Sequence, residues 1–250
     1  MENYQYQDPN VIVLEEGQIA KKFFANVFTW MFVALSLSTV AAYMFSTNES
    51  LMQYLITYDA VTGKGGMSIF GYVAMFAPLA LVLTMGFGLS RLSYPALVGV
   101  FILYSVLTGI SLSFILLAYT SGSVVSCFAA AAGIFGIMAF MGYTTNIDLS
   151  KFGPILMVGL VGLIIAGLVN MFIQSEQFSL VMAFIGIAVF TALTAYDVQK
   201  IKRIGQGIEA NGEQALQVES KKMAIVAALS LYLDFLNIFL YLLRIFGSRK

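Results

Sequence analysis

Histidine is absent from all 250 residues. That removes Ser-His and Cys-His nucleophile pairs, HExxH zinc sites and His-ligated haem together. A single cysteine, Cys127, excludes an intramolecular disulfide, and its apolar surroundings mark it as a small packing residue. Charge is scarce, at 10% of residues where a soluble domain has about 25%. Thirteen basic and thirteen acidic residues cancel to a net charge of zero, so no nucleic-acid partner is expected. The first 20 residues are polar and acidic (Glu2, Asp8, Glu15, Glu16), so no cleavable signal peptide is expected. The polar termini carry no Lys-Asp-Glu-Leu retention signal, which points to a bacterial plasma membrane.

What remains is hydrocarbon. Apolar residues make up 60% of the chain and mean hydropathy is +0.88. Seven segments approach the roughly 20 residues needed to cross a bilayer: Phe23–Phe45, Ile69–Leu89, Ala96–Ala118, Val124–Gly142, Pro154–Ile173, Phe178–Tyr196 and Met223–Leu243. The expectation is an all-α polytopic membrane protein, with a polar segment at 1–22 and one seven-helix domain at 23–247. Lipid is its first partner, and no protein partner can be named.

Lysine and arginine set an expected orientation. Lys21, Lys22, Arg91, Lys151, Lys200, Lys202, Arg203, Lys221 and Lys222 fall on the side of the N-terminus, against Lys64, Arg244, Arg249 and Lys250 on the other. The excess favours a cytoplasmic N-terminus. Three of the four dissenters sit at the C-terminal end, so a seventh segment that dips in and returns is left open.

Small residues on span four (Gly133, Gly136 and the alanines 129–132) and span five (Gly159, Gly162, Ala166, Gly167) are expected to let helices approach closely. Pro78 is expected to kink span two. Ser105, Thr108, Ser111 and Ser113 on span three either line a polar path or bond back to their own helix. Asn26 and Asn170 read as interhelical hydrogen-bonding groups.

The candidate site lies around the join of the last two spans. Span seven carries Ser230, Asp234, Asn237 and Tyr241 at intervals of four, three and four, one stripe of a helix. Asp234 is the only charge inside any span, and a carboxylate near the bilayer centre costs about 2.5–3.5 kcal/mol on insertion scales. It must therefore face protein or water. Tyr196-Asp197 closes span six on the same side of the membrane. Depth separates the two acids: Asp234 is about 18 Å beyond Lys222 at the helical rise, whereas Asp197 is about 4–5 Å before Lys200. They meet only if helix six continues past Lys200 or helix seven starts outside the membrane. If they meet in a dry site they share a proton, and the ionised pair suits a hard cation such as calcium, held transiently by oxygen ligands. Arg91, at the foot of span two, is either a snorkelling arginine that sets topology or a partner for a carboxylate.

The runs Ala195-Tyr196-Asp197-Val198-Gln199-Lys200-Ile201 and Ala228-Leu229-Ser230-Leu231-Tyr232-Leu233-Asp234-Phe235-Leu236-Asn237-Ile238-Phe239, followed by Leu242-Leu243-Arg244, resemble the Bax inhibitor family, the transmembrane Bax inhibitor motif proteins. The likeness spans about Phe23 to Gly247. It implies a central C-terminal helix wrapped by the other six and a pH-sensitive calcium leak. It also implies a proton-sensing pair at Asp197 and Asp234, with Arg91 as a latch on the first. Ser230, Asn237 and Tyr241 complete the polar stripe. No resident cofactor is implied; calcium is the permeant ion. Some bacterial members carry an acidic residue inside helix two, and span two here has none.

Two other classes compete with a channel. Intramembrane aspartyl proteases also use a Tyr-Asp, but the glycines expected before the second aspartate are replaced by Leu231-Tyr232-Leu233, and Pro95-Ala96-Leu97 comes too early. A regulatory scaffold without transport is the other.

Overall fold

The computed structural model describes residues 17–58, 65–88, 91–210 and 217–250. Lys64, the acidic residues of the first 16 positions and Leu89 lie outside them. Among the described residues the order is α1 (Gln18–Thr47), α2 (Glu49–Met52), β1 (Ile56–Tyr58), β2 (Gly65–Met67), α3 (Ile69–Gly88), α4 (Tyr94–Ala118), α5 (Ser121–Thr144), a 3-10 turn (Leu149–Phe152), α6 (Gly153–Ile173), α7 (Glu176–Ala210) and α8 (Gln217–Phe246). Seven helices are long and apolar enough to cross a membrane, and α2 and the β1–β2 hairpin lie between the first two. The protein is an all-α polytopic membrane protein.

Local sequence explains where the helices start and stop. Ser93 and Thr120 accept backbone N–H groups at the starts of α4 and α5, and Pro95 and Pro154 occupy first-turn positions that lack an intrahelical partner. Between α6 and α7 only Gln174 and Ser175 intervene. Gln174 takes a left-handed conformation at φ 53°, and Asn170 accepts the Ser175 amide at 3.2 Å. Asn170 therefore closes its own helix rather than bridging to another, because the hairpin brings the Ser175 amide within its reach. Pro78 sits inside α3, and the helix continues through it.

The C-terminal helix is the centre of the bundle. In α8, 61% of the most apolar window is buried, against 6% in α6. Its walls are α1, α4, α5 and α7, while α3 packs on α4 and α6 packs on α7. Direct wrapping thus comes mainly from four helices, with two outside them. Two faces of the membrane can be told apart by connectivity. On one lie the start of α1, the α3–α4 turn and the α7–α8 connection; on the other lie the α4–α5 and α6–α7 turns. Past α8, the Thr120 amide donates to the Ser248 carbonyl at 2.9 Å and the Lys250 amide to the Ala118 carbonyl at 3.0 Å. The end of α8 is thereby tied to the α4–α5 turn, so α8 crosses completely and does not return.

Close approach uses only part of what the small-residue runs suggest: a Cβ at Gly159 would lie 3.2 Å from Val189 of α7, but the other glycines of those runs are not at crossings. A Cβ at Gly133, Gly136, Gly162 or Gly167 would meet nothing within 4 Å, because these positions face outward. At Gly109 it would lie 2.4 Å from the Ser38 carbonyl of α1, and at Gly142 2.3 Å from the Ala195 carbonyl of α7. Those two are isolated glycines at helix crossings, where backbone meets backbone. Gly142→Ala should therefore lower stability by about 1–3 kcal/mol through overpacking. Gly136→Ala should be neutral or gain about 0.4–1 kcal/mol. Thermal unfolding in one detergent checks both; equal midpoints for the two variants would refute the assignment of crossings.

Candidate functional site

Helix α7 buries Ala183, Gly186, Phe190, Thr194, Val198, Ile201, Gly205 and Ile208, a ladder with steps of three and four that does not stop at Lys200. The polar segment after Asp197 is thus one face of a continuing amphipathic helix. Its end docks on the first turn of α1: a Cβ at Gly205 would lie 3.2 Å from Ala20, and Glu209 Oε1 accepts the Gly17 amide at 2.5 Å. A carboxylate there also suits the positive end of the α1 dipole. Helix α8 starts at Gln217, before its lysines. Both conditions for a meeting of the two acids are met.

Asp234 is 4% exposed, and its Oδ2 has no hydrogen-bond partner. The neighbouring charge that reaches it is Asp197 of α7. The charge that reaches Asp197 in turn is Lys200, three residues along the same helix. A cavity of about 230 Å³ opens between α7 and α8, lined by Asp197, Lys200, Ile204, Met223 and Ser230 among others. Asp197 is thus a neighbour of Asp234 across the α7–α8 seam, and it lines the cavity together with Ser230.

The rest of the stripe shares a helix face without sharing a hydrogen-bond network. Ser230 Oγ donates to the Val226 carbonyl at 3.4 Å and Asn237 Nδ2 to the Leu233 carbonyl at 2.8 Å. Short polar side chains in an apolar bundle take the nearest carbonyl, four residues back. Tyr241 packs its ring over Gly186 and beside Phe190, with centroids 6.1 Å apart. Arg91 is exposed at the α3–α4 turn. The ion pair among the described residues is Arg203–Asp148 at 2.5 Å, so Arg91 does not hold Asp197 in this arrangement. Two carboxylates also fall short of the roughly six to eight oxygens that calcium takes, and no cluster of three acidic, cysteine or histidine ligands occurs among the described residues. The acids can touch a passing cation; they do not build a cage for one.

Two supporting sets escaped the sequence reading. On the opposite side of α8 from Asp234, Ser38 Oγ donates its one proton to the Ser105 carbonyl at 2.7 Å, so Tyr232 donates to Ser38 at 2.6 Å. This pins α8 to α1 and α4 two residues before the acid. On α7, Gln199 donates to the Ile147 carbonyl at 2.7 Å and accepts the Leu149 amide at 2.8 Å. Lys202 reaches the Tyr143 carbonyl at 2.8 Å, and Arg203 reaches Asp148 and Ser150. The stretch Gln199–Arg203 thus clamps the α5–α6 connection and fixes α7 immediately beyond Asp197. The lysine-arginine pair announced only sidedness in the sequence; its target loop is about 50 residues away and carries no matching pattern. Serine-phase hydroxyls on α4 bond backwards, with Ser105 on Phe101 and Ser113 on Ile110.

The family model described as inhibitor of apoptosis-promoting Bax1 matches residues 20–250. The chain belongs to the Bax inhibitor family. Among relatives of this Bax inhibitor family protein, the inner membrane protein YbhL of Escherichia coli strain K12 is 40% identical over 228 residues, 91% of this chain and 92% of the relative. A protein of Borreliella burgdorferi is 40% identical over 236 residues, 94% and 96% of the two chains. A membrane protein of Streptococcus pyogenes is 33% identical over 240 residues, 95% and 97%. The match extends over both aspartates and the clamp, and the family is not a known enzyme family.

Hydrogen bonds from Ser150, and after them Arg203, hold the exposed Asp148 carboxyl well below the usual carboxylate range. A depressed folded value means the contribution is complete above the unfolded value of about 3.9 and is lost as pH falls through the folded one. The clamp should therefore stay charged between pH 5 and 8. Hydrogen exchange at the Leu149 amide should be slow and level across that window, once corrected for intrinsic rates. Gln199→Ala should speed it and cost about 1–3 kcal/mol, since Gln199 is buried between two backbone groups. Arg203→Ala should cost less, because its pair with Asp148 is exposed and screened by solvent. A pH-dependent opening of the clamp in the neutral range would contradict this.

Proposed function

We propose that this Bax inhibitor family protein is a cation leak of the membrane, under proton control, with calcium as its permeant ion. The observation that carries the reading is a buried carboxylate with an unpartnered oxygen, Asp234 Oδ2, neighboured by a second carboxylate, Asp197, that lines a cavity between the same two helices. Two acids in a low-dielectric seam hold one proton between them more cheaply than two negative charges. While the proton is shared, the seam between α7 and α8 is closed by mutual attraction. When it leaves, the pair carries two negative charges and either draws in a cation or pushes the helices apart. Both outcomes open the passage.

The same side of the membrane gathers Lys21, Lys22, Arg91, Lys151, Lys200, Lys202, Arg203, Lys221 and Lys222, which supports a cytoplasmic N-terminus and a cytoplasmic opening for the small cavity. The printed location of the Escherichia coli relative supports a bacterial inner membrane. Lys200 takes the place nearest Asp197 in the present arrangement; Arg91, as a latch, would act when the foot of α3 swings toward α7.

Flux from calcium-loaded proteoliposomes tests the proposal. The parent should leak at a rate that changes with pH. Asp234→Asn and Asp197→Asn should each give a flat profile while the protein unfolds at an unchanged or higher temperature. Arg91→Ala should raise the leak if the latch operates, and flux equal to the parent would remove Arg91 from the machinery. Absence of any leak at every pH would favour the scaffold; cleavage of a membrane-helix substrate would favour the protease.

A further inference from the structure

A second and larger cavity lies on the opposite half of the bundle and plays no part in the acid pair. Helices α1 and α5 converge at one end through Phe24 and Tyr143, with ring centroids 4.8 Å apart, and through Phe28 and Phe135 at 6.5 Å. Toward the α4–α5 turn they part, leaving a cleft of about 580 Å³. Leu35 and Ala42 of α1 form one wall and Ala129 of α5 the other; Leu116 of α4 and Leu236 and Phe239 of α8 close it. The volume lies within the range of about 300–1,000 Å³ typical of ligand pockets.

The lining decides between occupants. Four of the hydroxyls on α1 that border the cleft are committed elsewhere: Thr39 donates to Leu35, Ser46 and Thr47 donate to Tyr43, and Ser38 donates to Ser105. The Tyr43 and Ser121 hydroxyls are polar points on a lining that is otherwise mostly carbon. Such walls cannot replace the water of a bare ion. A hydrocarbon chain fits a tapering, laterally open slot. Charge supplies the second constraint. Lys250 lines the cleft, and among the described residues no acidic side chain does. The Lys250 amide bonds the Ala118 carbonyl and its ammonium bonds the Leu116 carbonyl at 3.0 Å, which leaves two N–H donors for an anion.

We propose that this cleft binds one acyl chain of an anionic membrane phospholipid, with its phosphate on Lys250. The site stands apart from the aspartate pair and does not depend on transport. Because Leu236 and Phe239 belong to α8, the bound chain lies against the helix that carries Asp234.

The test is native mass spectrometry of the full chain in detergent, titrated with phosphatidylglycerol or with phosphatidylcholine of the same acyl chains. The parent should retain one phosphatidylglycerol per chain, with about fivefold preference over phosphatidylcholine for one ammonium. Lys250→Glu should abolish that preference. Ala129→Trp, which fills the cleft from an exposed position, should weaken retention of both lipids by about tenfold. No preference in the parent overturns the proposal, as does a preference that survives Lys250→Glu. So does lipid retention unchanged by Ala129→Trp. A dimer that Ala129→Trp dissociates would assign the cleft to a second copy instead, and loss of cation flux with lipid binding intact would assign it to the ion path. Should Ala129→Trp fail to fold, the exposed Lys250→Glu decides alone.

Discussion

A carboxylate cannot be left in hydrocarbon, and the architecture follows from that. Asp234 needs a wall of protein around it, and α8 is the helix the bundle buries most deeply. The wall is uneven. On one side Tyr232 is hydrogen-bonded to Ser38, and its ring meets Tyr104 edge-on at 5.6 Å. Toward Asp197 of α7 the wall is less complete: among the described residues no hydrogen-bond partner reaches Asp234 Oδ2, an exception to the usual pairing of buried polar groups.

The fold was largely written in hydropathy. Seven apolar runs, six of them without internal charge, gave seven crossing helices, and the short polar break at Gln174-Ser175 gave the tight hairpin, because lipid length and turn chemistry are local properties. The termini of α7 and α8 were not local. Lysines at 200, 202, 221 and 222 look like the edge of a membrane when counted, yet α7 runs on beneath its lysines because Ile201, Gly205 and Ile208 are still buried, Gly205 against Ala20 of α1. Tertiary contact, rather than propensity, carried the helix beyond its apolar span.

Much of the candidate site was legible for the same reason it is costly: one aspartate among seven apolar helices stands out. Its partner could be named but not placed, since depth along α7 depended on that continuation. The stripe of Ser230, Asn237 and Tyr241 lies on one face as the spacing implies, while Ser230 and Asn237 bond to carbonyls of their own helix, because spacing fixes direction and says nothing of which acceptor is nearest. Gly109 and Gly142 were passed over because each stands alone in its run, whereas Gly133 and Gly136 formed a visible pattern with no neighbour to use it. Gln199, whose role needs a loop about 50 residues earlier, left no signal at all.

Helix α7 projects from Asp197 to Ala210, about 20 Å of unbroken backbone at the helical rise. Such a rod acts as a pointer fixed to the acid. Between the acid and the tip stands the Gln199–Arg203 clamp, so a rotation at Asp197 has to carry the α5–α6 connection with it before it tugs on Gly17 through Glu209. A push on the tip meets the same brace before it arrives at the carboxylate.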